Sequence, residues 1–323
     1  MIGGVIIVNN LVKSYGQSVA LNGISFTVEK GSVVGLIGPN GAGKSSILKI
    51  LAGLISGTLG DVIVNGISVA SDPIKAKKNT SFMAENNPLP DHMRVGEYLR
   101  FRAELKGVPA RKIRANTEKI MRQCDLYYEA RHRMIKTLSK GYRQRIGIAD
   151  AMLGDSEVVI LDEPTIGLDP HQIIGIRKII DGTRGMRTIL ISSHILSELE
   201  TVCDNFIIIN RGNIVAAGTL AGLASDVREK DTFLANIRGS ELKIREIFEA
   251  NGTKISSLER LRADDEWSIR FSATEKNHRS LLAKIAAESG LFAEKICTIE
   301  PSLEEIFLRA TRRYRDQNLE NKL

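Results

Sequence analysis

Eight consecutive residues, Gly38-Pro39-Asn40-Gly41-Ala42-Gly43-Lys44-Ser45, combine the side chains needed to hold a polyphosphate. The glycines let backbone N–H groups turn inward around anionic oxygens, and a helix start beyond them adds its positive end. Lys44 is placed to reach the β- and γ-phosphates of a nucleoside triphosphate, Ser45 to ligate Mg²⁺, and Ser46 to continue the cradle. A second group stands far along the chain, where Val158-Val159-Ile160-Leu161 ends in Asp162-Glu163-Pro164-Thr165. Asp162 there suits Mg²⁺, held through its water shell. Glu163 is left free to polarise an attacking water as general base.

These residues work only if the fold brings them together. Val33-Val34-Gly35-Leu36-Ile37 reads as a buried strand before the loop, and Ser46 to Ala52 has apolar residues at helical spacing after it. A strand ending in two acids places them at the carboxyl edge of a parallel sheet, beside the phosphate loop. Further strands are expected at 5–8, 61–64, 80–83 and 188–191, with a hairpin over 206–217 turning at Arg211-Gly212-Asn213. The stretch from Val95 to about Glu129 reads as helical, with Tyr98, Phe101, Leu105, Ile113, Ile120 and Met121 as its buried stripe. Pro170 to Arg184 reads as another helix.

A chain of 323 residues is long enough for about two domains. The character changes near Gly222, which sets the expected domains at 1–222 and 223–323. The second reads as strand, helix, strand, strand, helix, strand over 232–299, with a helix over 275–289 and a turn at Asp264-Asp265. That order is the ferredoxin-like α+β unit. A last helix begins at Ser302, and Leu242, Ile244, Ile247 and Phe248 read as the core face of a helix.

Residues 1–222 hold 27 basic and 20 acidic residues, whereas 223–323 hold 18 of each. The surplus concentrates in 94–145, with 15 basic against 5 acidic residues. Such a patch suits nucleic acid, anionic lipid headgroups or an acidic partner, or is a solvated helical face. Cys124, Cys203 and Cys297 lie far apart and indicate neither a disulfide framework nor zinc, which fits a reducing cytoplasm. No run approaches the roughly 18 apolar residues that span a bilayer. Met1 to Val8 is too short, and lacks the basic leader, for a signal peptide.

Further residues carry a family resemblance. Leu138-Ser139-Lys140-Gly141-Tyr142-Arg143-Gln144-Arg145 is similar to the L-S-G-G-Q signature of ABC-transporter ATPase subunits and stands shortly before the Asp162-Glu163 strand. Gly167-Leu168-Asp169 resembles that family's D-loop, His194 its switch histidine, and Tyr15 the aromatic that stacks on adenine. The resemblance spans roughly residues 5–220 and implies an α/β P-loop ABC ATPase domain with a helical subdomain. It also implies a head-to-tail homodimer around ATP, in which Leu138, Ser139, Lys140 and Gly141 of one protomer cap the γ-phosphate held by its partner. His194 would contact that phosphate and Asp169 would link the two sites. Two departures stand out: Lys140 replaces a glycine, and Glu85 occupies the Q-loop position, where it can still offer an oxygen to Mg²⁺ or water.

With Asn86-Asn87-Pro88-Leu89 and the Pro301–Leu308 tail, the chain resembles the ABC-2-type export branch, including gliding-motility and copper-related subunits. The function implied is an ATPase that powers a separate integral membrane permease, peripheral on the inner face of the cell membrane. Asn86 to Arg102 would form part of the groove that receives the permease. An alternative is a non-transport ABC ATPase acting on nucleic acid or ribosomes, whose relatives usually carry two ATPase halves or a long coiled-coil insert. A GTP-driven switch is disfavoured, since no N-K-x-D element is found.

Overall fold

The computed structural model describes residues 4–226, 231–262, 265–273, 281, 284–285, 287 and 291–320. It divides into two compact units, Met1–Leu220 with Ala310–Leu323, and Ala221–Arg309. The division therefore falls two residues before the expected boundary, and the C-terminal stretch from Ala310 groups with the first unit instead of the second.

In the first unit, β1 (Ile6–Tyr15) and β2 (Ser18–Val28) pair antiparallel. β3 (Val33–Ile37) leads into α1 (Lys44–Leu51), followed by β4 (Leu59–Val64) and β5 (Ile67–Ser68). Asn65 and Gly66 turn β4 into β5 with φ of 49° and 74°, the positive pair that Asn-Gly adopts readily. These strands make an antiparallel sheet of order β2-β1-β4-β5.

β3 belongs to the other sheet of this unit. It joins β6 (Thr80–Met83), β7 (Val158–Asp162), β8 (Thr188–Ser193), β9 (Asn205–Asn210) and β10 (Asn213–Gly218) in the order β10-β9-β3-β8-β7-β6. β10 pairs antiparallel with β9, and the other pairs are parallel. A parallel sheet covered on both faces buries whole strands, which is why every residue of β3, β7 and β8 lies inside and their centres are apolar. Ile47, Leu48 and Leu51 of α1 pack with Leu36, Ile160, Leu190 and Ile207 in the core. α2 (Pro73–Asn79) enters β6, with Asp72 accepting from the Lys75 N–H as its cap.

The helical part is two helices where the sequence suggests one: α3 (Val95–Leu105) and α4 (Ala110–Gln123) part at Gly107, φ 75°, and Pro109. α5 (Lys140–Met152) follows. Tyr98, Ile120 and Met121 are buried as the stripe requires, but Ile113 is half-buried, and Phe101 and Leu105 are exposed at 49% and 61%. Asp150 of α5 explains the rotation. Arg102 Nε lies 3.0 Å from both its carboxylate oxygens, Lys106 Nζ at 3.4 Å from one and the Tyr98 hydroxyl at 3.3 Å from the other. Asp150 is partly buried and shared by three groups, and an acid left unpaired there is costly. Burying a phenylalanine gains about 1.5–3 kcal/mol. The carboxylate therefore sets the face of α3. Beyond β7 come α6 (Pro170–Asp181) and α7 (Leu196–Glu200), and beyond β10, α8 (Leu220–Asp226). Among the described residues no helix is long and apolar enough to cross a membrane.

The second unit contains β11 (Asp231–Arg238), α9 (Glu241–Ala250), β12 (Lys254–Arg262), β13 (Glu266–Ala273) and β14 (Phe292–Ile299). Its sheet runs β12-β13-β11-β14 with every pair antiparallel. Phe271 packs against Phe233 (centroids 5.3 Å) and edge-on against Phe248 (4.9 Å). Ile244 and Phe248 face this core, whereas Leu242 points outward at 73% exposure, so the apolar stripe of α9 starts one step later than expected. Of the expected turn, Asp264 lies outside the described residues and Asp265 has φ 52°; the expected helix over 275–289 lies largely outside them. α10 spans Leu303–Glu320.

Candidate nucleotide site

The loop between β3 and α1 passes so close to neighbouring backbone that two of its glycines admit no side chain. A Cβ at Gly38 would collide with the Ile209 carbonyl, and one at Gly43 would sit 2.8 Å from the Ala20 oxygen and 2.7 Å from Leu21 Cδ2. Gly43 also has φ 111°, which a side chain would strain. Lys44 begins α1 and folds back over the loop, its Nζ donating to the carbonyls of Gly38 at 2.6 Å and Pro39 at 3.3 Å. Burial lowers the Lys44 pKa, opposed by Glu163, Asp162 and Glu85, whose charges favour the ammonium.

The facing wall comes from the carboxyl ends of β7 and β8. Their parallel register sets Asp162 beside Ser192, and Ile37 of β3 pairs with Ser193, so three strand ends meet at one edge. Ser192 organises both acids: its hydroxyl donates to Asp162 Oδ1 at 2.5 Å and accepts from the Glu163 N–H at 3.0 Å. Glu163 has a left-handed backbone, φ 50°, a strained state for a non-glycine residue. Its Oε2 lies 2.8 Å from His194 Nδ1 and accepts the His194 backbone N–H at 3.4 Å. Burial raises the Asp162 pKa, and the Glu163 charge adds to the rise, while the Ser192 hydrogen bond and Lys44 oppose it.

A cavity of about 370 Å³ is lined by Pro39 to Ser46, Glu85, Asp162, Glu163 and His194, with Ala20 and Ile166. Gly38 contributes its carbonyl through Lys44. Tyr15 does not line this cavity; it is half exposed, with its hydroxyl 3.3 Å from Ser46 Oγ and Lys13 Nζ 4.9 Å from its ring. Ser192, Ala20 and Ile166 carry no motif of their own. Only the β7–β8 register singles out Ser192.

Ser139 and Gly141 line a different cavity, of about 500 Å³, with Tyr142, Arg122, Tyr128 and Gln172. Leu138 is buried, and Ser139 is the N-cap of α5. The end of the Gln172 side chain lies against Gly141, and a Cβ there, 2.6 Å from Gln172 Cδ, would require that side chain to move. The ammonium of Lys140 fills the space a side chain at Gly167 would need. Asp169 caps α6, accepting from the Gln172 N–H at 3.0 Å.

The donors in the first cavity are hard oxygens (the Ser45 hydroxyl and the carboxylates of Asp162 and Glu85), matching Mg²⁺, which takes few carboxylates and completes its shell with phosphate and water. Among the described residues no three or more His, Cys, Asp or Glu converge as an all-protein metal cage. The residues thus fit a metal that arrives with a polyphosphate.

Comparison with known proteins gives a consistent picture. The sequence pattern of the family described as ABC transporter matches residues 21–166. The linearmycin resistance ATP-binding protein LnrL of Bacillus subtilis (strain 168) is 28% identical over 314 residues, covering 94% of this chain and 97% of that protein. The ABC transporter ATP-binding protein NatA of the same organism is 33% identical over 214 residues, covering 66% of this chain and 87% of that one. A solved ATP-binding subunit of an ABC transporter superposes with a TM-score of 0.63 at 29% identity, over 69% of this chain and 92% of that one. A dimeric ATP-binding cassette in a post-hydrolysis state with ADP and Pi shares the fold, with a TM-score of 0.60 at 21% identity over 66% of this chain and 98% of that one.

Proposed function

The chain belongs to the ABC transporter ATP-binding family and is an ATPase, and from this premise we propose that it works as a homodimer powering a separate ABC-2-type permease, as an exporter. One observation supports the dimer above others. Lys44, Ser45, Asp162, Glu163 and His194 share one cavity, while Ser139 and Gly141 line another. Each chain thus carries two unlike halves, and a head-to-tail pair would set one against the other. The start of α5 offers its free N–H groups to the γ-phosphate across that interface.

In this reading the phosphate loop and Lys44 hold the β- and γ-phosphates. Lys44 exchanges its own loop carbonyls for phosphate oxygens as the nucleotide enters. Asp162 and Ser45 would hold Mg²⁺ with Glu85 nearby, and bound Mg²⁺ would neutralise charge on the β- and γ-oxygens. Glu163, aligned by His194 and by its own constrained backbone, takes a proton from the attacking water. His194 then faces the γ-phosphate. Tyr15 stacks on the base, and Asp169 couples the two sites.

The reading of an ABC-2 branch, one that includes gliding-motility and copper-related subunits, rests on Lys140, Glu85, the Asn86–Leu89 run and the Pro301–Leu308 tail. We read the expected domain 223–323 as a ferredoxin-like unit, a reading supported by the strand order β12-β13-β11-β14 within Ala221–Arg309. We assign it a regulatory or dimerising role. Location is peripheral, on the inner face of the cell membrane, through the permease docked along residues 86–102. Action on nucleic acid or ribosomes is the lesser reading.

The test is Glu163→Gln in the full chain, followed by size-exclusion chromatography with ATP. Accumulation of an ATP-bound dimer with turnover nearly abolished is expected; a monomer at saturating ATP would remove the dimer reading. Co-purification of an integral protein from native membranes tests the permease, and its absence counts against the transport role.

A further inference from the structure

The geometry points to a second anion site, for the phosphate of an anionic lipid headgroup, in a pocket between α3 and α4 that shares only the Tyr127 wall with the Ser139–Gly141 cavity and no residue with the nucleotide cavity. It rests on the peripheral membrane location proposed above. The pocket measures about 320 Å³, and its lining includes Arg100 on α3, Arg114 on α4, and Tyr127, Arg131 and His132 on the following segment.

The backbone fixes this arrangement. The Gly96 N–H donates to the Arg131 carbonyl at 2.9 Å, and a Cβ at Gly96 would sit 3.1 Å from that oxygen, so the two segments meet closely. Arg100 Nε donates to the Gly96 carbonyl at 3.0 Å, and Arg131 Nε donates to His132 Nε2 at 2.8 Å. Arg131 also lies 4.5 Å from the centre of the Tyr127 ring, which Arg122 approaches to 3.7 Å.

The charges in the pocket are unbalanced. The one carboxylate lining it, Glu118, is taken by Arg114 at 3.0 Å. Among the described residues no ion pair engages Arg100 or Arg131. Two guanidiniums held on braced backbone, with spare N–H donors, are an arrangement that pairs with a phosphate. They also lie within the segment that holds most of the chain's positive surplus. The aromatic ring argues for lipid over nucleic acid: Tyr127 already engages two guanidiniums, and stacking a base on it would displace them. The inner leaflet supplies anionic headgroups to any protein held against it.

The experiment is co-sedimentation of the full chain, without nucleotide, with vesicles of phosphatidylcholine alone and of phosphatidylcholine with phosphatidylglycerol. Binding should require phosphatidylglycerol, and Arg100→Gln with Arg131→Gln should weaken it about 25-fold, at about fivefold for each basic residue removed near an anionic surface. Lys77→Gln with Lys78→Gln, an equal charge loss at exposed positions on α2, should leave it near the parent value. Equal binding to neutral vesicles, or equal weakening by the α2 pair, would overturn the site. So would release from vesicles by millimolar inorganic phosphate, which would make free phosphate the ligand. Retention of a single-stranded oligonucleotide by these arginines in place of vesicles would overturn it in favour of nucleic acid. Failure of the transport reading appears separately, as no permease co-purifying, whatever the vesicles show.

Discussion

On the phosphate face, the working side chains already hold one another. Asp162 accepts from Ser192, Glu163 is joined to His194, and Lys44 is folded onto its own loop. In the Ser139–Gly141 segment itself the contacts serve packing. Gln172 crowds Gly141, Lys140 lies over Gly167, and Ser139 caps α5 without a side-chain hydrogen bond. One face is pre-organised for charge and the other is an open helix start. A face finished by its own chain can be aligned by second contacts before any ligand arrives. Around the second cavity Arg145 pairs with Asp125 and Tyr142 with Glu129, but the Ser139–Gly141 segment itself carries no such contact. An open helix start of that kind suits a ligand carried by another molecule, which supports the dimer reading.

Four substitutions separate the faces. The largest effect is expected for Glu163→Gln: turnover should fall about 10²- to 10⁴-fold, the range of a general base. ATP affinity should hold near the parent value in an equilibrium binding assay, and normal turnover would take the base role from Glu163. Next comes Lys44→Ala, which should weaken ATP binding about 10- to 100-fold through loss of charge-assisted hydrogen bonds. Unchanged affinity would break the assignment of the phosphate face itself.

Ser192→Ala sharpens the claim of pre-organisation. Asp162 loses its donor, so unfolding free energy should drop by about 1–3 kcal/mol. Turnover should drop about tenfold, as for outer contacts that orient working groups. Denaturant titration and steady-state rates check the pair, and a variant with full activity would show that Ser192 only packs. The smallest effect belongs to the other face. Gly141→Ala drives Gln172 from its rotamer at a cost of about 0.5–1.5 kcal/mol, giving a threefold to tenfold loss of turnover. ATP binding by the monomer should not change, and adding Gln172→Ala should restore the rate. Weakened monomer binding would place Gly141 on the nucleotide's own side.

Much of the first unit is legible because its signals are local. Short runs rich in Val, Ile and Leu mark β3, β7 and β8, and the glycine spacing marks a loop whose backbone must pass close to Ala20 and Ile209. The misreadings come from long-range contacts. Phe101 and Leu105 fit a helical stripe, yet Asp150, far along the chain, draws Tyr98, Arg102 and Lys106 inward and leaves both exposed. Leu242 fits the stripe of α9 equally well but faces solvent, because the core of that unit gathers around Phe271 and meets the helix at Ile244 and Phe248. The helical break at Gly107 and Pro109 was visible in residue type but hidden by periodicity that continues across it.

The sequence by itself determined the chemical inventory: a phosphate loop with Lys44 and Ser45, an acid pair at 162–163, a histidine at 194 and a signature-like segment at 138–145. Residue type and short spacing suffice for that, since each motif sits within one turn or strand end. The tertiary structure alone decided the registry and the contacts that hold these groups in place, those of Ser192 above all. Parallel registry of β3, β8 and β7 sets Asp162, Ser192 and the loop at one edge, while α5 starts elsewhere and turns Ser139 and Gly141 to a separate surface. The registry joins segments from 30 residues apart, at Asp162 and Ser192, to more than 150 apart, at Val33 and Ile189, and no local pattern encodes it.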